Sequence, residues 1–189
     1  DLPIYIGATG PLMNKLAGRV ADGLLLPGLT NSGFVKIAKE RLKGGFEAAD
    51  REVLEPFPLG GVILSAVSEN GDEAREATRG PTATYVVNKV KNIQNDEILT
   101  SSGISEDVLE PLRASVRRGE VDLTDKITNE IMRQFNVVSG TPDECAEILQ
   151  ELIDAGLNLP LMEVVGQTPQ QNLQTIRFLG ERVLPKIKF

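Results

Sequence analysis

"PIYIGATGPLMNKLAGRVADGLLL", residues 3–26, reads as a strand, a glycine turn, a helix and a second strand. Ile4-Tyr5-Ile6 is short and β-rich, which places a strand at residues 3–7. Pro11 suits the first turn of a helix, and Leu12, Met13, Leu16, Ala17 and Val20 follow at helical spacing. Asp22-Gly23 breaks that helix. Leu24-Leu25-Leu26 then reads as a buried strand, closed by Pro27-Gly28.

The same alternation continues outward. Asn31 or Ser32 can cap a helix whose apolar face is Phe34, Ile37, Ala38, Leu42 and Phe46. After the link Glu55-Pro56-Phe57-Pro58, residues 59–67 are almost continuously apolar, as expected of a parallel strand covered on both faces. A polar turn at 68–71 leads into a helix from Asp72 to about Asn92. Residues 93–136 are charged and lack strand patterns, so a helical insertion is expected there, with helices near 105–118 and 124–135. Thr141-Pro142-Asp143-Glu144 has the form of a capping box with proline at the first helical position. Cys145, Ile148, Leu149, Leu152 and Ile153 form the face behind it, and Gly156 is its natural stop. Residues 160–165 read as a fourth strand. Thr168-Pro169 opens a last helix with Leu173, Ile176, Leu179, Val183 and Ile187 facing inward. Four strands separated by helices predict an α/β fold with a parallel sheet, its ligands at the carboxyl ends of the strands.

Composition limits the chemistry. The 189 residues carry a net charge of -7, one cysteine and no histidine. No basic stripe is available for nucleic acid, and an anionic membrane surface is disfavoured for the same reason. Cys/His zinc sites, intramolecular disulfides and histidine-based triads are excluded, and no metal site is expected. No apolar run reaches the roughly 18 residues of a membrane span, and no signal-peptide pattern is present, so a cytoplasmic protein is expected. The chain opens at Asp1 and enters an apolar run at once, which reads as a piece of something longer.

Gly7-Ala8-Thr9-Gly10 is therefore either a tight turn or a cradle for phosphate. Free N–H groups and the helix dipole at such a turn favour an anion, and Thr9 adds a hydroxyl. The spacing is neither the dinucleotide fingerprint nor a Walker A loop. Pro27-Gly28-Leu29 lies beside it at the end of the next strand; its plain reading is a turn with Asn31 as cap. Lys15 and Arg19 could strengthen an anion site or form a solvated face. Cys145 reads as core, Asp22 as a turn residue and Arg117-Arg118 as a solvated helix end. Glu163, a carboxylate among apolar neighbours in the last strand, could face the open end of the sheet.

Three stretches together resemble the luciferase-like superfamily of flavin- and deazaflavin-dependent oxidoreductases, in particular its methylenetetrahydromethanopterin reductase branch. They are residues 3–26, "ITNEIMRQFNVVSGTPDECAEILQELIDAGLN" at 127–158, and "FLGERVLPKIK" at 178–188. The resemblance implies a (β/α)8 barrel of which residues 1–189 form the C-terminal half, strands five to eight, with the insertion at 93–136. It implies that Gly7, Ala8, Thr9 and Gly10 hold the phosphate of coenzyme F420, or alternatively of FMN, and that Pro27, Gly28 and Leu29 form the neighbouring wall of the cofactor site. It further implies hydride transfer between a deazaflavin and a carbon centre of a small-molecule substrate, or flavin monooxygenation in other branches. Leu12 stands where the family often has lysine, and Pro27 where small polar residues are common. No catalytic residue is assigned, because much of the ring pocket and substrate site comes from the family's N-terminal strands. A half-barrel leaves two unpaired edges. The chain is thus expected to work as a homo-oligomer or joined to an N-terminal half-barrel, and a half-barrel acting only by association, without turnover, is the third reading.

Overall fold

The computed structural model describes residues 2–52, 56–92 and 96–188. Of the expected link Glu55 lies outside these residues, as do positions 93–95 of the expected insertion. The elements run β1 (Tyr5–Gly7), α1 (Pro11–Val20), β2 (Gly23–Leu26), α2 (Ser32–Ala48), β3 (Leu59–Val67), α3 (Gly71–Lys91), α4 (Asp96–Thr100), α5 (Glu106–Arg117), α6 (Asn129–Gln134), β4 (Val138–Gly140), α7 (Pro142–Asp154), β5 (Leu159–Val164) and α8 (Pro169–Phe178). A 3-10 turn at Thr124–Lys126 precedes α6, and α8 continues into a π-helical stretch, Leu179–Val183.

Every strand pairing is parallel. β1 lies beside β2 and β2 beside β3, and β3 carries two further partners. Gly60 and Gly61 are in register with both β2 and β5, and Ser65 with both β4 and β5. A strand has two edges, so β2 and β4 share one edge of β3 and β5 takes the other. β4 is thus a short addition at the carboxyl end of β3. The four long-range strands follow one another as β1, β2, β3, β5, and β1 and β5 are the open edges.

Side chains alternate across this sheet. Leu24, Leu26, Leu59, Ile63 and Val67 point into a core with Ala17, Phe34, Ala38, Leu42, Leu149 and Leu152 from α1, α2 and α7. Leu64 points the other way, into a second core with Leu29, Val86, Leu109, Ile131 and Phe135. On β1, Ile6 joins the first core, so Tyr5 and Gly7 lie on the opposite, inner face. On β5, Met162 and Val164 pack on the first core, which turns Leu161 and Glu163 to the inner face.

Four local expectations change. Val138–Gly140 is a fifth strand, where sequence alone gave only the lead-in to α7; three residues ending in Ser-Gly carry too little pattern to be recognised. The helix expected at 124–135 is split into the 3-10 turn and α6, and a further helix, α4, precedes α5. The buried face of α1 is Asn14, Ala17 and Gly18, whereas Leu12, Met13 and Val20 are exposed. Small residues face inward because α1 packs backbone-close on α2: a Cβ on Gly18 would stand 2.4 Å from the Leu42 carbonyl oxygen. On α8, Leu173 and Ile176 are exposed, while Thr175, Leu179 and Val183 are buried and Ile187 packs on the first core. Both misread faces flank an open edge of the sheet.

Candidate functional site

The loop after β1 sits at the carboxyl edge of the sheet. The Ala8 N–H donates to the Leu25 carbonyl (3.1 Å), which extends the β1–β2 pairing by one residue and brings loops 7–10 and 27–29 side by side. Gly10 is the N-cap of α1 and supplies no side-chain cap; Pro11 follows at the first helical position. Asn14 makes the first backbone bond of the helix, back to the Gly10 carbonyl (3.0 Å). Among the described residues the N–H groups of Thr9, Gly10, Leu12 and Met13 have no protein acceptor. These are the orphan donors of a helix start, at its positive dipole end.

The glycines themselves are informative. Gly10 has φ −70 and ψ 148, a conformation open to any residue. Gly7 is not among the glycines with positive φ. A Cβ on either would meet nothing within 4 Å. Neither backbone angle nor internal packing requires glycine here, so what the bare backbone leaves is open space beside free donors. That combination fits a phosphate ester approaching the main chain.

The loop is held from behind. Asn14 is fully buried, and in the amide orientation that satisfies its surroundings its Nδ2 donates to the carbonyls of Thr9 (2.9 Å) and Gly10 (2.6 Å). Arg41, on α2, brings Nη1 to 3.4 Å from the Thr9 carbonyl and pairs through Nη2 with both carboxylate oxygens of Glu97 on α4 (2.7 and 2.6 Å). Arg41 had no signal in the sequence, since its partners lie 32 and 56 positions away. Asn14 had none either, because helical periodicity puts the inward face on Leu12, Met13, Leu16, Ala17 and Val20. Lys15 and Arg19 are exposed and make no ion pair among the described residues.

The second loop is closed. Gly28 and Leu29 are buried, Leu29 in the left-handed region at φ 59 with its side chain in the second core. Pro27 accepts a hydrogen bond from the Thr30 hydroxyl. Asn31 caps α2 by accepting from the Phe34 N–H (2.9 Å), and its Nδ2 donates to the Ile98 carbonyl (2.7 Å). Asn136 accepts from the Ser32 N–H (2.9 Å). The start of α2 is therefore filled by protein groups.

A polar pair crosses the inner face. The Tyr85 hydroxyl of α3 donates to Glu163 Oε2 of β5 (2.6 Å). The Tyr85 ring covers Gly28 so closely that a Cβ there would stand 2.3 Å from Cε1. Burial, then the hydrogen bond to Glu163, pushes the phenol up to about 12. Glu163 thus faces inward at the open end of the sheet, held by a tyrosine that spans from the β2 loop to β5. One turn further along α3, Lys89 is 5% exposed and makes no ion pair or side-chain hydrogen bond among the described residues. Burial alone lowers its ammonium to about 8.

The remaining candidates are structural. Cys145 is fully buried, with its thiol pushed up to about 12 by burial and then by Glu144. Asp22 accepts from the Ile4 N–H (2.8 Å) and ties β1 to β2. Arg117 and Arg118 are exposed and pair with Glu110 and Glu120. Among the described residues no helix is long and apolar enough to cross a membrane.

Comparison with known proteins fits this geometry. The chain is 29% identical over 195 residues to 5,10-methylenetetrahydromethanopterin reductase of Archaeoglobus fulgidus, covering 100% of this chain and 55% of that protein. It is 30% identical over 188 residues to F420-dependent glucose-6-phosphate dehydrogenase of Nakamurella multipartita, covering 99% of this chain and 48% of that one. The coenzyme F420-dependent tetrahydromethanopterin reductase structure from Methanopyrus kandleri superposes with a TM-score of 0.74 at 25% identity, over 100% of this chain and 52% of that one. The chain thus spans about half the length of the curated relatives it matches. The parallel sheet, its β/α order and residues 1–159, which match the family model for luciferase-like monooxygenases, place the chain in that family.

Proposed function

We propose that this chain is the cofactor-binding half of an F420-dependent oxidoreductase, with a reaction like that of methylenetetrahydromethanopterin reductase. The observation that carries the reading is the uncapped start of α1: four N–H groups without acceptors among the described residues, beside two glycines that the fold itself does not need. The names of the relatives supply the cofactor class. When bound, a deazaflavin ring supplies hydride transfer to or from a carbon centre. The loop Gly7-Ala8-Thr9-Gly10 holds the phosphate through the free N–H groups of Thr9 and Gly10, with Gly7 leaving the space for it and Ala8 fastening the loop to the Leu25 carbonyl. Pro27 forms the adjoining wall over the buried Gly28 and Leu29, and Tyr85 and Glu163 close the inner face.

The partner is an N-terminal half-barrel, which completes the site for a small-molecule substrate. Supporting this, apolar side chains are exposed at both open edges: Leu2, Ile4 and Leu12 beside β1, and Leu161, Leu173 and Ile176 beside β5. Burying such flanks is the usual fate of large exposed apolar patches.

Fluorescence anisotropy of the deazaflavin tests the reading. Saturable binding of coenzyme F420, with FMN bound weakly or not at all, is the expected result. Tighter binding of FMN favours a flavin monooxygenase instead, a reading kept alive by the family description. Binding of neither sinks the cofactor role. Light scattering tests the partner, and a well-folded monomer with no tendency to associate counts against obligatory pairing.

A further inference from the structure

We propose that Arg41 is a positioning residue of the phosphate loop, acting through the Thr9–Gly10 peptide, and that Glu97 sets the positive potential this loop presents. The inference rests on the loop holding a cofactor phosphate, as proposed above.

In a trans peptide the carbonyl and the N–H point in opposite directions. Whatever holds the Thr9 carbonyl therefore aims the Gly10 N–H the other way, out of the loop. Two side chains hold that carbonyl, and neither belongs to the loop. Asn14 donates to it at 2.9 Å from a fully buried position. Arg41 stands 3.4 Å from it, long for a hydrogen bond but close enough for a full charge to fix a carbonyl dipole. A donor on the carbonyl also polarises the peptide and strengthens its N–H as a donor.

Arg41 is itself anchored. Its side chain is 16% exposed, and its Nη2 alone lies between both oxygens of Glu97, a charge-assisted contact that leaves Nη1 facing the Thr9 carbonyl. Glu97 lies on α4, which also receives the Asn31 amide through the Ile98 carbonyl. One guanidinium thus links the loop after β1, the helix after β2 and the segment between α3 and β4. The Arg41–Glu97 pair is electrically neutral as seen by an anion. Neutralising Glu97 while keeping its shape leaves an uncompensated cation behind the loop. Because binding couplings are reciprocal, an anion on the loop in turn strengthens the hold of Arg41 on its neighbours.

The shared ligand chemistry is a ribityl phosphate, found in both F420 and FMN, so each is compared with its phosphate-free form. Binding of F420 and of the corresponding deazariboflavin, and of FMN and riboflavin, is measured by anisotropy or quenching of ligand fluorescence at low and high salt. Glu97→Gln is expected to tighten the phosphate-bearing ligand about three- to tenfold at low salt, with the gain lost at high salt and the phosphate-free ligand unaffected. Arg41→Gln is expected to weaken the phosphate-bearing ligand about tenfold, and Arg41→Lys to recover part of that loss. If Arg41→Gln does not fold, Glu97→Gln, which keeps the arginine, decides the matter. Binding by the unaltered chain that neither substitution changes, or equal changes with and without the phosphate, overturns the role of Arg41 and leaves the loop reading intact. If the unaltered chain binds none of the four ligands, both fall together.

Discussion

Two helices start side by side at the carboxyl edge of the sheet, and they start differently. α2 begins under Asn31 and Asn136, whose side chains accept from the Phe34 and Ser32 N–H groups. α1 begins at Gly10 with no side-chain cap and with open space beside both loop glycines. Elsewhere the chain caps helices readily: Thr141 and Thr168 each close a complete capping box, also just before a proline. The same Xaa-Pro start thus appears with a cap where it serves only the fold and without one after β1. α5 also starts, at Ser105, without a side-chain cap, so what sets α1 apart is the open space beside its loop glycines together with the missing cap.

The contrast can be broken by giving α1 what α2 has. Gly10→Asp supplies a capping carboxylate and a negative charge at the anion site. Affinity for the phosphate-bearing cofactor should fall more than 100-fold, a loss of about 3 kcal/mol. Thermal stability should stay level or rise by a few tenths of a kcal/mol. A stable variant that still binds normally would remove the phosphate loop from the mechanism. The reverse change, Asn31→Ala, takes from α2 what α1 lacks. It deletes a cap and a buried bond to the Ile98 carbonyl, so stability in urea should drop by about 2–3 kcal/mol.

Lys89 sharpens the comparison between cations. Arg41 is half-buried with a partner, and Lys89 is buried without one among the described residues. In the folded chain Lys89 gives up its proton near 8, whereas an ordinary lysine does so at 10.5. The unfolded chain therefore binds more protons between these values. The penalty for burying the charge is full below about pH 8, shrinks as pH rises through this window, and is gone above 10.5. Lys89→Met should raise stability at pH 7 by about 1–2 kcal/mol, and the gain should fade as melting is measured toward pH 10.5. The smallest expected effect is that of Gly7→Ala. Its backbone tolerates the methyl group and nothing fills the space, so stability should rise by about 0.4–1 kcal/mol while cofactor binding weakens.

Most of the fold is legible in sequence because it is local. Strand-turn-helix punctuation, the Thr-Pro starts and the continuous apolar run at 59–67 each depend on neighbouring residues. The inward faces of α1 and α8 are not legible, because periodicity shows which residues form a stripe and not what lies opposite it. At the open edges that stripe faces outward, as Leu12 and Leu173 do. The site divides in the same way. The glycine loop is visible as a motif, but Arg41 and Glu97 meet across 56 positions and Tyr85 and Glu163 across 78, distances at which no spacing rule operates.

The three partners of β3 bear on how the chain assembles. β1, β2 and β3 join through neighbours a few tens of residues apart, whereas the β3–β5 junction, marked by the Leu59–Asn158 bond, closes over 99 positions. Local contacts form fast and distant ones slowly, so the unit from β1 to β3 can organise first and the docking of β5 comes late. Closure entropy grows only slowly with length, about 0.6 kcal/mol for each doubling. Between α3 and β4 length can therefore vary cheaply only at exposed turns, because Leu109, Ile131 and Phe135 fill the second core and Glu97 and Ile98 bind Arg41 and Asn31.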